Sequence, residues 1–593
     1  MRCRRLCGPR SSPPITTKLA STLRGKQPVV GGPRVALCTS PRLTTRAPTS
    51  RLVASLPRWG CSMASTNSFP VCDTVEIDPH MAVVQGQDKS PLETKSEKII
   101  AVVLDAGATF WRDSSGEAFV TIPNEGRIER YPVRSRDFRN LVLLLYGDAH
   151  PAATKGGGTR PGSASQHSLN DALGAFEALA LRGAKREPRP RLCRGEGNEV
   201  WLDLGGPDWR LVRITPETWQ LVGGADVPLL RPSGMKAMPE PVRSPCALQA
   251  FRSLLNFGSE HDFRLVVAWL VAALHPNGPY PVLAVDGEQG SAKSTFCRVL
   301  RRLVDPNRAD VRAVPREERD LRVAATNGRL VALDNLSALS SEMADALCRV
   351  ATGGGFGERQ LGTNGGEFVV YVCNPVLLNG IPSLLTRGDL ADRAIALTLP
   401  SIPDAARRTE AEIWQNFDAA APGMLALLLD GLALALKDAP RLHLPRLPRM
   451  ADFAKIACAA APAFGWTTND MLDALEQNRV GTVAGVIEAD PVAVAVQGLA
   501  EQNGGWSGTA SELLAAINRD TPQERQRERG WPKDSARLSG HLRRVAPALR
   551  RAGVEVAQTR TSTARLVSIS AAGGREASSA SQRHTPIQDG MTL

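Results

Sequence analysis

One short stretch restricts the fold of this chain more than any other. Residues 287–295 read Gly-Glu-Gln-Gly-Ser-Ala-Lys-Ser-Thr, and they follow an apolar run at 281–286, Pro-Val-Leu-Ala-Val-Asp. A strand, a glycine-rich turn and Lys-Ser-Thr at the start of a helix form a cradle for phosphate groups. In such a cradle the Lys293 ammonium reaches the β- and γ-phosphates, and the Ser294 hydroxyl ligates Mg²⁺. The alternative is a turn rich in serine and glycine that leads into an ordinary helix.

The two glycines and the following helix favour the cradle. Gly287 and Gly290 let the backbone curl so that successive N–H groups point inward. Four apolar residues between 296 and 303 line one face of the next helix, so its N-terminus can be packed while the helix dipole faces an anion. Ala292 departs from the usual pattern, in which glycine precedes the lysine. Alanine is tolerable there only with a negative φ, as at a helix start, and we expect that conformation.

A second strand is expected to deliver an acid to the magnesium ion. Residues 329–334, Arg-Leu-Val-Ala-Leu-Asp, form a strand pattern that ends on Asp334, 41 residues after Lys293. The alternative is a strand that ends at a surface aspartate. Asn335 follows where many such ATPases carry a glutamate that polarises the attacking water. An amide cannot be a general base, so we expect slow hydrolysis or another carboxylate in that role.

Two further polar residues occupy positions that suit ATP hydrolysis. The third strand pattern, 369–378, ends at Asn379, whose side chain can hydrogen-bond the water or the γ-phosphate if this strand lies between the first two. The alternative is that Asn379-Gly380 is simply a turn. Arg393 ends the sequence Asp-Leu-Ala-Asp-Arg just before a fourth strand pattern, and it can project to the nucleotide of a neighbouring subunit. Its alternative is a surface arginine paired with Asp389 or Asp392.

This order of motifs resembles the AAA+ core of superfamily 3 helicases, and more narrowly the ATPase of phage, plasmid and integrative-element primase–helicase proteins. The resemblance is strong over about 246–400. It is looser over 97–245 and 401–570, where it suggests an accessory domain, a helical lid and a winged helix. The segments that carry it are Ala351–Phe356, Arg359–Leu361, Pro375–Asn379, Gly380–Pro382 and Asp389–Ala394.

The resemblance implies a set of site residues and the cofactors ATP and Mg²⁺. Asp334 and Ser294 would hold Mg²⁺, Lys293 would bind the phosphates, Asn379 would be the first sensor, and Arg393 would be a finger acting in trans. Asn335 and Ala292 depart from the family pattern. The nucleotide-binding residues would be Gly287, Glu288, Gln289, Gly290, Ser291, Ala292, Lys293, Ser294 and Thr295.

Two elements are candidates for contacts with DNA. Asn364-Gly365 between two strand-like runs predicts a hairpin, and in the resembled helicases a hairpin here grips single-stranded DNA in the central pore. The tip lacks a lysine, so Arg359 on the flank is the nearest phosphate contact; a purely structural hairpin is the alternative. The predicted helix 536–552 carries a basic face beside its apolar stripe, as a groove-reading helix needs, although a solvated charged face is also common. That face contains Arg537, His541 and Arg544.

The net charge of +12 gives little evidence for a nucleic-acid partner, because the excess is confined to one end. Residues 1–72 hold 12 basic residues and no acid, and the remainder holds 60 of each sign. This leader suits an organellar transit peptide, upstream translation before a start at Met63, or a basic arm that touches phosphate. We favour the start at Met63, since the rest of the chain resembles prokaryotic or phage proteins.

Composition indicates a cytoplasmic protein with neither a zinc site nor a membrane span. Cysteine and histidine are scattered without a C-x-x-C motif, which suits reduced thiols. The longest apolar runs, 265–274 and 424–436, are shorter than the ~20 residues that cross a bilayer.

The predicted fold is α/β, with a P-loop AAA+ core, an N-terminal α+β accessory domain, a helical lid and a C-terminal winged-helix-like domain. Strand patterns at 118–122, 200–204 and 209–214 and helix patterns at 138–146 and 169–181 support the accessory domain. The predicted boundaries are 1–72 for the leader, 73–245 for the accessory domain, 246–404 for the core, 405–500 for the lid region, 501–570 for the winged-helix-like domain and 571–593 for a disordered tail.

The sequence therefore predicts an enzyme, an ATP-hydrolysing P-loop motor that acts on single-stranded or forked DNA in mobile-element replication. A superfamily 3-like DNA helicase that assembles as a homo-oligomeric ring and contacts other replication proteins is the leading interpretation. One alternative is an ATPase switch that remodels a replication or transposition complex. Another is a winged-helix DNA-binding protein whose P-loop binds nucleotide without turnover.

Overall fold

The computed structural model describes residues 93–336, 339–359, 367–380, 388–503, 505–528, 530–560 and 565–571. The leader 1–72, the predicted hairpin tip at Asn364-Gly365 and the predicted tail apart from Ala571 lie outside the described residues. The side chain of Arg359 also lies outside them, although its backbone is described. Every described residue belongs to one unit, Lys89–Leu593.

The first described region combines three helices with an antiparallel sheet in the order β1-β2-β3. Each helix begins after a hydroxyl residue (Thr94, Ser135 or Ser165) whose side chain accepts a hydrogen bond from a first-turn N–H. Phe138 and Phe176 are fully buried where the helices meet the sheet. The elements are α1 (Lys95–Asp105), β1 (Thr109–Arg112), β2 (Ala118–Asn124), β3 (Arg127–Pro132), α2 (Arg136–Ala149), β4 (Ala152–Ala153), β5 (Thr159–Arg160) and α3 (Gln166–Arg182).

A second antiparallel sheet, in the order β10-β9-β8-β7, follows. Asp203 at the end of β8 is fully buried and accepts two hydrogen bonds from Arg231, at 2.7 and 2.8 Å. The predicted linker 231–241 forms no helix or sheet ladder, and its Lys236 N–H donates to the Pro306 carbonyl at 2.9 Å, so it is fastened to the next region. The strands are β6 (Arg189–Pro190), β7 (Leu192–Arg194), β8 (Val200–Asp203), β9 (Leu211–Ile214), β10 (Trp219–Val222) and β11 (Leu229–Leu230), which pairs with β6.

The centre of the fold is a parallel sheet with the order β13-β16-β12-β17. The predicted third strand, β16, does lie between the first two, which confirms that expectation. One further parallel bridge, Arg312 with Leu333, extends the sheet beyond β13. The strands are β12 (Val282–Gly287), β13 (Val331–Leu336), β16 (Val376–Gly380) and β17 (Ala394–Leu399); the antiparallel hairpin β14 (Gly354–Arg359) and β15 (Glu367–Val372) precedes β16.

Helices cover both faces of this sheet. Leu283 and Leu377 face one core cluster, shared with α5 and α6, while Val282 and Val376 face another, shared with α7 and α8. The apolar run 265–274 is the body of α5, and all ten of its residues are buried, so it is a core helix. The helices are α4 (Ala247–Leu254), α5 (Glu260–Leu274), α6 (Lys293–Val304), α7 (Glu318–Thr326), α8 (Ser341–Thr352) and α9 (Gly388–Ala391).

A helical region follows the sheet, as expected for about 405–500. Its long first helix, α10, is apolar and long enough to span a membrane, but 67% of its most apolar window is buried inside the fold. A second candidate in the described part of the chain exists only if α12 and α13, bent by 104°, count as one span. The helices are α10 (Glu410–Asp438), α11 (Ala451–Ala460), α12 (Thr468–Glu488) and α13 (Pro491–Asn503), with short 3₁₀ turns at Asp404–Ala406 and Ala461–Phe464.

The last region pairs helices with a three-stranded antiparallel sheet in the order β18-β20-β19. Leu538, Leu542 and Leu549 of α16 are fully buried against it, as the apolar stripe predicted. Pro547 lies inside α16, and the helix continues through it to Arg551. The elements are β18 (Gly505–Thr509), α14 (Ala510–Asp520), α15 (Gln523–Gln526), α16 (Ser535–Arg551), β19 (Val554–Arg560) and β20 (Arg565–Ala571).

Candidate nucleotide site

The loop between β12 and α6 needs glycine at both predicted positions. Gly287 has φ 144°, and a Cβ there would lie 2.6 Å from the Leu399 carbonyl oxygen and 2.9 Å from the Ser291 hydroxyl. Gly290 has φ 88°, a conformation that residues with a side chain rarely adopt. Ser291 is fully buried and donates through its hydroxyl to the Glu288 carbonyl at 2.9 Å. The loop is therefore a tight, internally bonded turn.

Ala292 does not have the negative φ expected from the sequence. It lies just before α6 with φ 62° and ψ 30°, in the left-handed region. The expectation was wrong because the chain must reverse between the buried Ser291 and the first turn of α6. A residue with a Cβ pays about 1–2 kcal/mol for this conformation, which glycine does not. The alanine therefore stores backbone strain at the mouth of the loop.

Lys293 is the first residue of α6 and turns its side chain back over the loop. Its ammonium donates to the carbonyl oxygens of Gly287 and Glu288, both at 2.8 Å. An ammonium has three donors, so one remains for an oxygen of a bound anion. The N-terminus of α6 adds the positive end of a helix dipole at the same place. Loop, lysine and dipole together make this place a candidate site for an anion.

Three side chains from separate elements meet beside this loop. The Ser294 hydroxyl donates to an Asp334 carboxylate oxygen at 3.2 Å, and the Asn379 amide donates to the Ser294 hydroxyl at 3.1 Å. The Asn379 amide also contacts the same Asp334 oxygen. These contacts arise because β12, β13 and β16 are parallel neighbours whose carboxyl ends share one edge. The structure thus brings together three of the residues that the sequence pointed to.

The donor set at this edge suits a magnesium ion. A hydroxyl and a carboxylate are hard oxygen ligands of the kind that Mg²⁺ takes alongside water and phosphate. Asn379 is 2% exposed, and its amide oxygen is buried with no hydrogen-bond partner within the described residues. Such an oxygen favours a donor that arrives with a ligand, such as a water molecule. Ser294 and Asp334 would hold the ion, and Asn379 would orient a water.

The backbone at Asn335 explains why an amide residue suits this position. Asn335 has φ 58°, and its N–H donates to the Asp334 carboxylate at 2.8 Å. Asparagine is several-fold enriched among the non-glycine residues that adopt the left-handed region, and glutamate is not among the enriched types. The conformation that directs Asp334 toward Ser294 therefore disfavours the glutamate that the family pattern carries at 335.

Several residues around the loop were not expected from the sequence. The Asn256 amide donates to the Pro400 carbonyl at 2.6 Å, and the Ser401 hydroxyl donates to the Glu288 carboxylate at 2.7 Å. An Arg407 guanidinium nitrogen lies 3.5 Å from the point that a Cβ on Gly290 would occupy. These residues lie far apart in the sequence, and only the Arg407-Arg408 pair stands out in it as a basic signal.

Asp286 is the other acid close to the loop. Burial raises its pKa, while a hydrogen bond from Thr398 and the charge of Lys293 act to lower it. One of its carboxylate oxygens is buried with no hydrogen-bond partner within the described residues. Asp286 follows Val285 along β12, so its side chain points to the opposite face of the sheet from the Val285 side chain. It therefore lies behind the loop and not among Ser294, Asp334 and Asn379.

Arg393 lies at the opposite end of the parallel sheet from the loop between β12 and α6 of the same chain. It immediately precedes β17, whose last residue, Leu399, pairs with Gly287, so about six residues of strand separate Arg393 from the level of the loop. At ~3.3 Å per residue that is about 20 Å, more than an arginine side chain can span. Its guanidinium donates to the Asp389 carbonyl at 3.1 Å, while the Asp392 carboxylate binds Arg449 and Arg551.

The candidate DNA contacts lie elsewhere in the molecule. Arg537 and Arg544 are exposed on α16, and Arg537 forms an ion pair with Asp534 at 3.4 Å. His541 is largely buried, and its Nε2 lies 2.6 Å from a carboxylate oxygen of Asp490, the residue before α13. That internal pairing removes His541 from the exposed face to which the sequence pattern assigned it. Arg359 ends β14, beside the undescribed hairpin tip.

In the described residues no group of three or more histidine, cysteine, aspartate or glutamate side chains is arranged to hold a metal ion. A magnesium ion bound through one carboxylate, a hydroxyl, phosphate and water does not need such a group.

Comparison with known proteins agrees with the mobile-element context. Residues 248–478 match the sequence model of the actinomycete integrative conjugative element replication protein family. Residues 492–583 match the model of the RepA C-terminal domain from the same elements. The comparison with curated proteins found no match. Solved structures that match include the A form apo structure of the NrS-1 C terminal region and the apo structure of its residues 305–718. Each is 11% identical with a TM-score of 0.36 and covers 81% of this chain and 100% of that chain.

Proposed function

We propose that this protein, whose residues 248–478 match the replication protein family of actinomycete integrative conjugative elements, is an ATP-hydrolysing AAA+ motor that acts on DNA when the element replicates. The observation that carries the proposal is the meeting of Ser294, Asp334 and Asn379 beside the glycine loop. A buried asparagine bonded to both a helix-start serine and a strand-end aspartate has little use in a plain turn. It suits a site that orders Mg²⁺, phosphate and water.

Each residue would have one task in this reaction. The backbone N–H groups of the loop and the Lys293 ammonium would hold the phosphates, and Ser294 and Asp334 would hold Mg²⁺. When bound there, Mg²⁺ would supply neutralisation of the negative charge on the phosphates. Asn379 would orient the attacking water through its side-chain amide, which already contacts Ser294 and Asp334. The catalysis is then mostly positioning and electrostatic stabilisation.

Because position 335 carries asparagine and not glutamate, we expect a low rate of ATP hydrolysis. Among the described residues, neither Asn335 nor the rear-facing Asp286 can take a proton from water beside Asn379. We therefore propose that hydrolysis is slow in the isolated protein and increases when DNA or a neighbouring subunit completes the site. The position of Arg393, about 20 Å from its own loop, supports a role for it at a neighbour's nucleotide in a ring.

The last region supports a DNA-binding role. Its order of helix, strand, helices and hairpin, with strands arranged β18-β20-β19, supports a winged-helix assignment, in which α16 would be the groove-reading helix. The exposed Arg537 and Arg544 on this helix would contact phosphates. Within the motor, the hairpin β14–β15 with Arg359 would contact a single strand. We propose single-stranded or forked DNA as the substrate, and superfamily 3-like unwinding as the outcome.

ATP binding and turnover test the proposal directly. Lys293→Ala should weaken ATP binding about ten- to hundredfold, since it removes a charge-assisted contact with phosphate, and should abolish turnover. The matched control is Lys437→Ala, on the exposed end of α10, which should behave as wild type. Turnover is measured with and without single-stranded DNA, followed by unwinding of a forked duplex. Full ATP binding by a folded Lys293→Ala protein would exclude the nucleotide site.

A second function is favoured by the strain at Ala292 and by Asn335. Both lower the expected rate of hydrolysis without preventing nucleotide binding, so a switch that changes state on ATP binding fits the same site. This switch would remodel a replication or transposition complex. It predicts tight ATP binding, turnover that DNA does not stimulate, and no unwinding of forked duplexes.

A further inference from the structure

Asp392, the residue before Arg393, is held by two arginines from distant parts of the chain. Arg551 donates to one carboxylate oxygen at 2.8 Å and also contacts the other, and Arg449 contacts the carboxylate as well. The Asp392 side chain is only 13% exposed, whereas those of Arg551 and Arg449 are 36% and 48% exposed. Burial of a carboxylate to this degree is costly unless cations pair with it.

The two arginines belong to different regions. Arg449 lies just before α11 in the helical region, and Arg551 is the last residue of α16. Arg551 is therefore on the same helix as the exposed Arg537 and Arg544. Contacts between α16 and α9 place the C-terminal end of α16 against the segment that precedes β17. Asp392 is thus a direct connection between the DNA-binding candidate helix and the start of β17.

Arg393 sits in the same short junction. Its N–H donates to the Leu390 carbonyl at 3.0 Å, its carbonyl accepts from the Val282 N–H at 2.9 Å, and its guanidinium donates to the Asp389 carbonyl at 3.1 Å. Its position is therefore set by the junction between α9 and β17. The ion pairs of Asp392 with Arg449 and Arg551, which we call the Asp392 clamp, hold that junction from outside.

We propose that Asp392 is a positioning residue for Arg393, and that Arg551 transmits DNA binding on α16 to the trans-acting arginine. This inference rests on the proposed function for its consequence in catalysis, but the mechanical connection can be tested apart from it. Movement of α16 on a DNA backbone would shift Arg551, change the hold on Asp392, and move the junction that presents Arg393. DNA binding would then affect the nucleotide site of the next subunit, although DNA does not contact that site.

Hydrogen exchange of the full chain tests the connection without any requirement for ATP turnover. Arg551→Ala should accelerate amide exchange in peptides that cover 388–395 by about tenfold, because the junction loses its clamp. The matched control is Arg550→Ala, which removes a neighbouring arginine that binds Glu555 instead, and should leave exchange there unchanged. Duplex DNA should alter exchange at 388–395 in wild type and not in Arg551→Ala. Unchanged exchange in Arg551→Ala, or an equal change in both variants, would overturn the proposal.

Turnover then separates this inference from the proposed function. Arg551→Ala should lose most of the stimulation of kcat by DNA while KM for ATP is unchanged, and Arg551→Lys should restore part of it. Asp392→Asn combined with Arg551→Ala should lose no more than Asp392→Asn alone, because both act through one contact. Additive losses would contradict the shared route. If wild type binds ATP but never hydrolyses it, the proposed function fails, and the exchange experiment still decides whether the clamp exists.

Discussion

Asn478 pairs with the backbone of Ala396 as a neighbouring strand would. Its amide oxygen accepts from the Ala396 N–H at 3.2 Å, and its amide nitrogen donates to the Ala396 carbonyl at 2.6 Å. β17 is the last strand on its side of the sheet, so these backbone groups would otherwise lack a partner. One side chain of α12 thus closes the sheet edge just three residues after Arg393.

Asn478→Ala should destabilise the protein by about 1–3 kcal/mol, because it leaves a backbone donor and acceptor of the sheet unpaired. Chemical denaturation of the full chain measures this loss. The neighbouring Gln477→Ala removes an exposed amide of similar size and should change stability by less than about 0.5 kcal/mol. Equal effects of the two substitutions would show that the contact with Ala396 contributes nothing.

Ala292→Gly should stabilise the protein by up to about 1 kcal/mol, because glycine adopts φ 62° without strain. Ala515→Gly, on the exposed face of α14, is the control and should have the opposite sign, since glycine in a helix costs about 1 kcal/mol. Thermal unfolding of both variants in the same buffer provides the comparison. Loss of stability in Ala292→Gly would contradict the account of strain in the loop.

Arg393→Ala should retain nucleotide affinity and lose most turnover, because the arginine lies too far from its own loop to bind that nucleotide. Mixed with Lys293→Ala protein, it should regain some activity at interfaces where one chain supplies the arginine and the other the intact loop. The assay needs proof of co-assembly, for example by differently tagged chains. Mixtures as inactive as each parent would exclude action in trans.

Neutralising Arg537 and Arg544 should weaken duplex binding and reduce the salt dependence of binding by about one unit of slope per lost phosphate contact. Binding is measured across a salt series, because affinity at one salt concentration does not separate charge from shape. Replacing Lys437, in the last turn of α10, and Arg441, just after that helix, is the matched control, since both residues are basic and exposed. Identical slopes for wild type and the Arg537/Arg544 variant would remove α16 as a phosphate-binding element.

Patterns that depend on near neighbours in the sequence predicted that Ser294, Asp334 and Asn379 lie close together. The apolar runs before Gly287, Asp334 and Asn379 predicted strands, and parallel strands bring their carboxyl ends together. The expected position of β16 followed from the same motif order. The four-residue spacing of Leu538 and Leu542 likewise predicted the buried face of α16.

Features that depend on distant residues were missed. His541 fits a basic face when only its own helix is considered, yet its partner, Asp490, is 51 residues away. The strand β18 contains two glycines among five residues, so its own strand propensity is weak, and pairing with β20 forms it. The left-handed φ of Ala292 was also missed, although the glycine of the usual pattern at this position suits that conformation.

The buried Arg191 makes the predicted boundary at 245 a division of the sequence and not of the folding unit. Its guanidinium spans the Asp203 and Lys236 carbonyls on one side and the Asp305 carboxylate, at 3.2 Å, on the other. Burial acts to raise the pKa of Asp305, but the charges of Arg301 and Arg191 hold it below its ordinary value. A protein truncated to begin at 246 would lose the contact of Asp305 with Arg191 and keep only its contact with Arg301, at 3.2 Å. Any shortened or exchanged N-terminal region therefore has to supply a cation in the place of Arg191 to keep this contact across position 245.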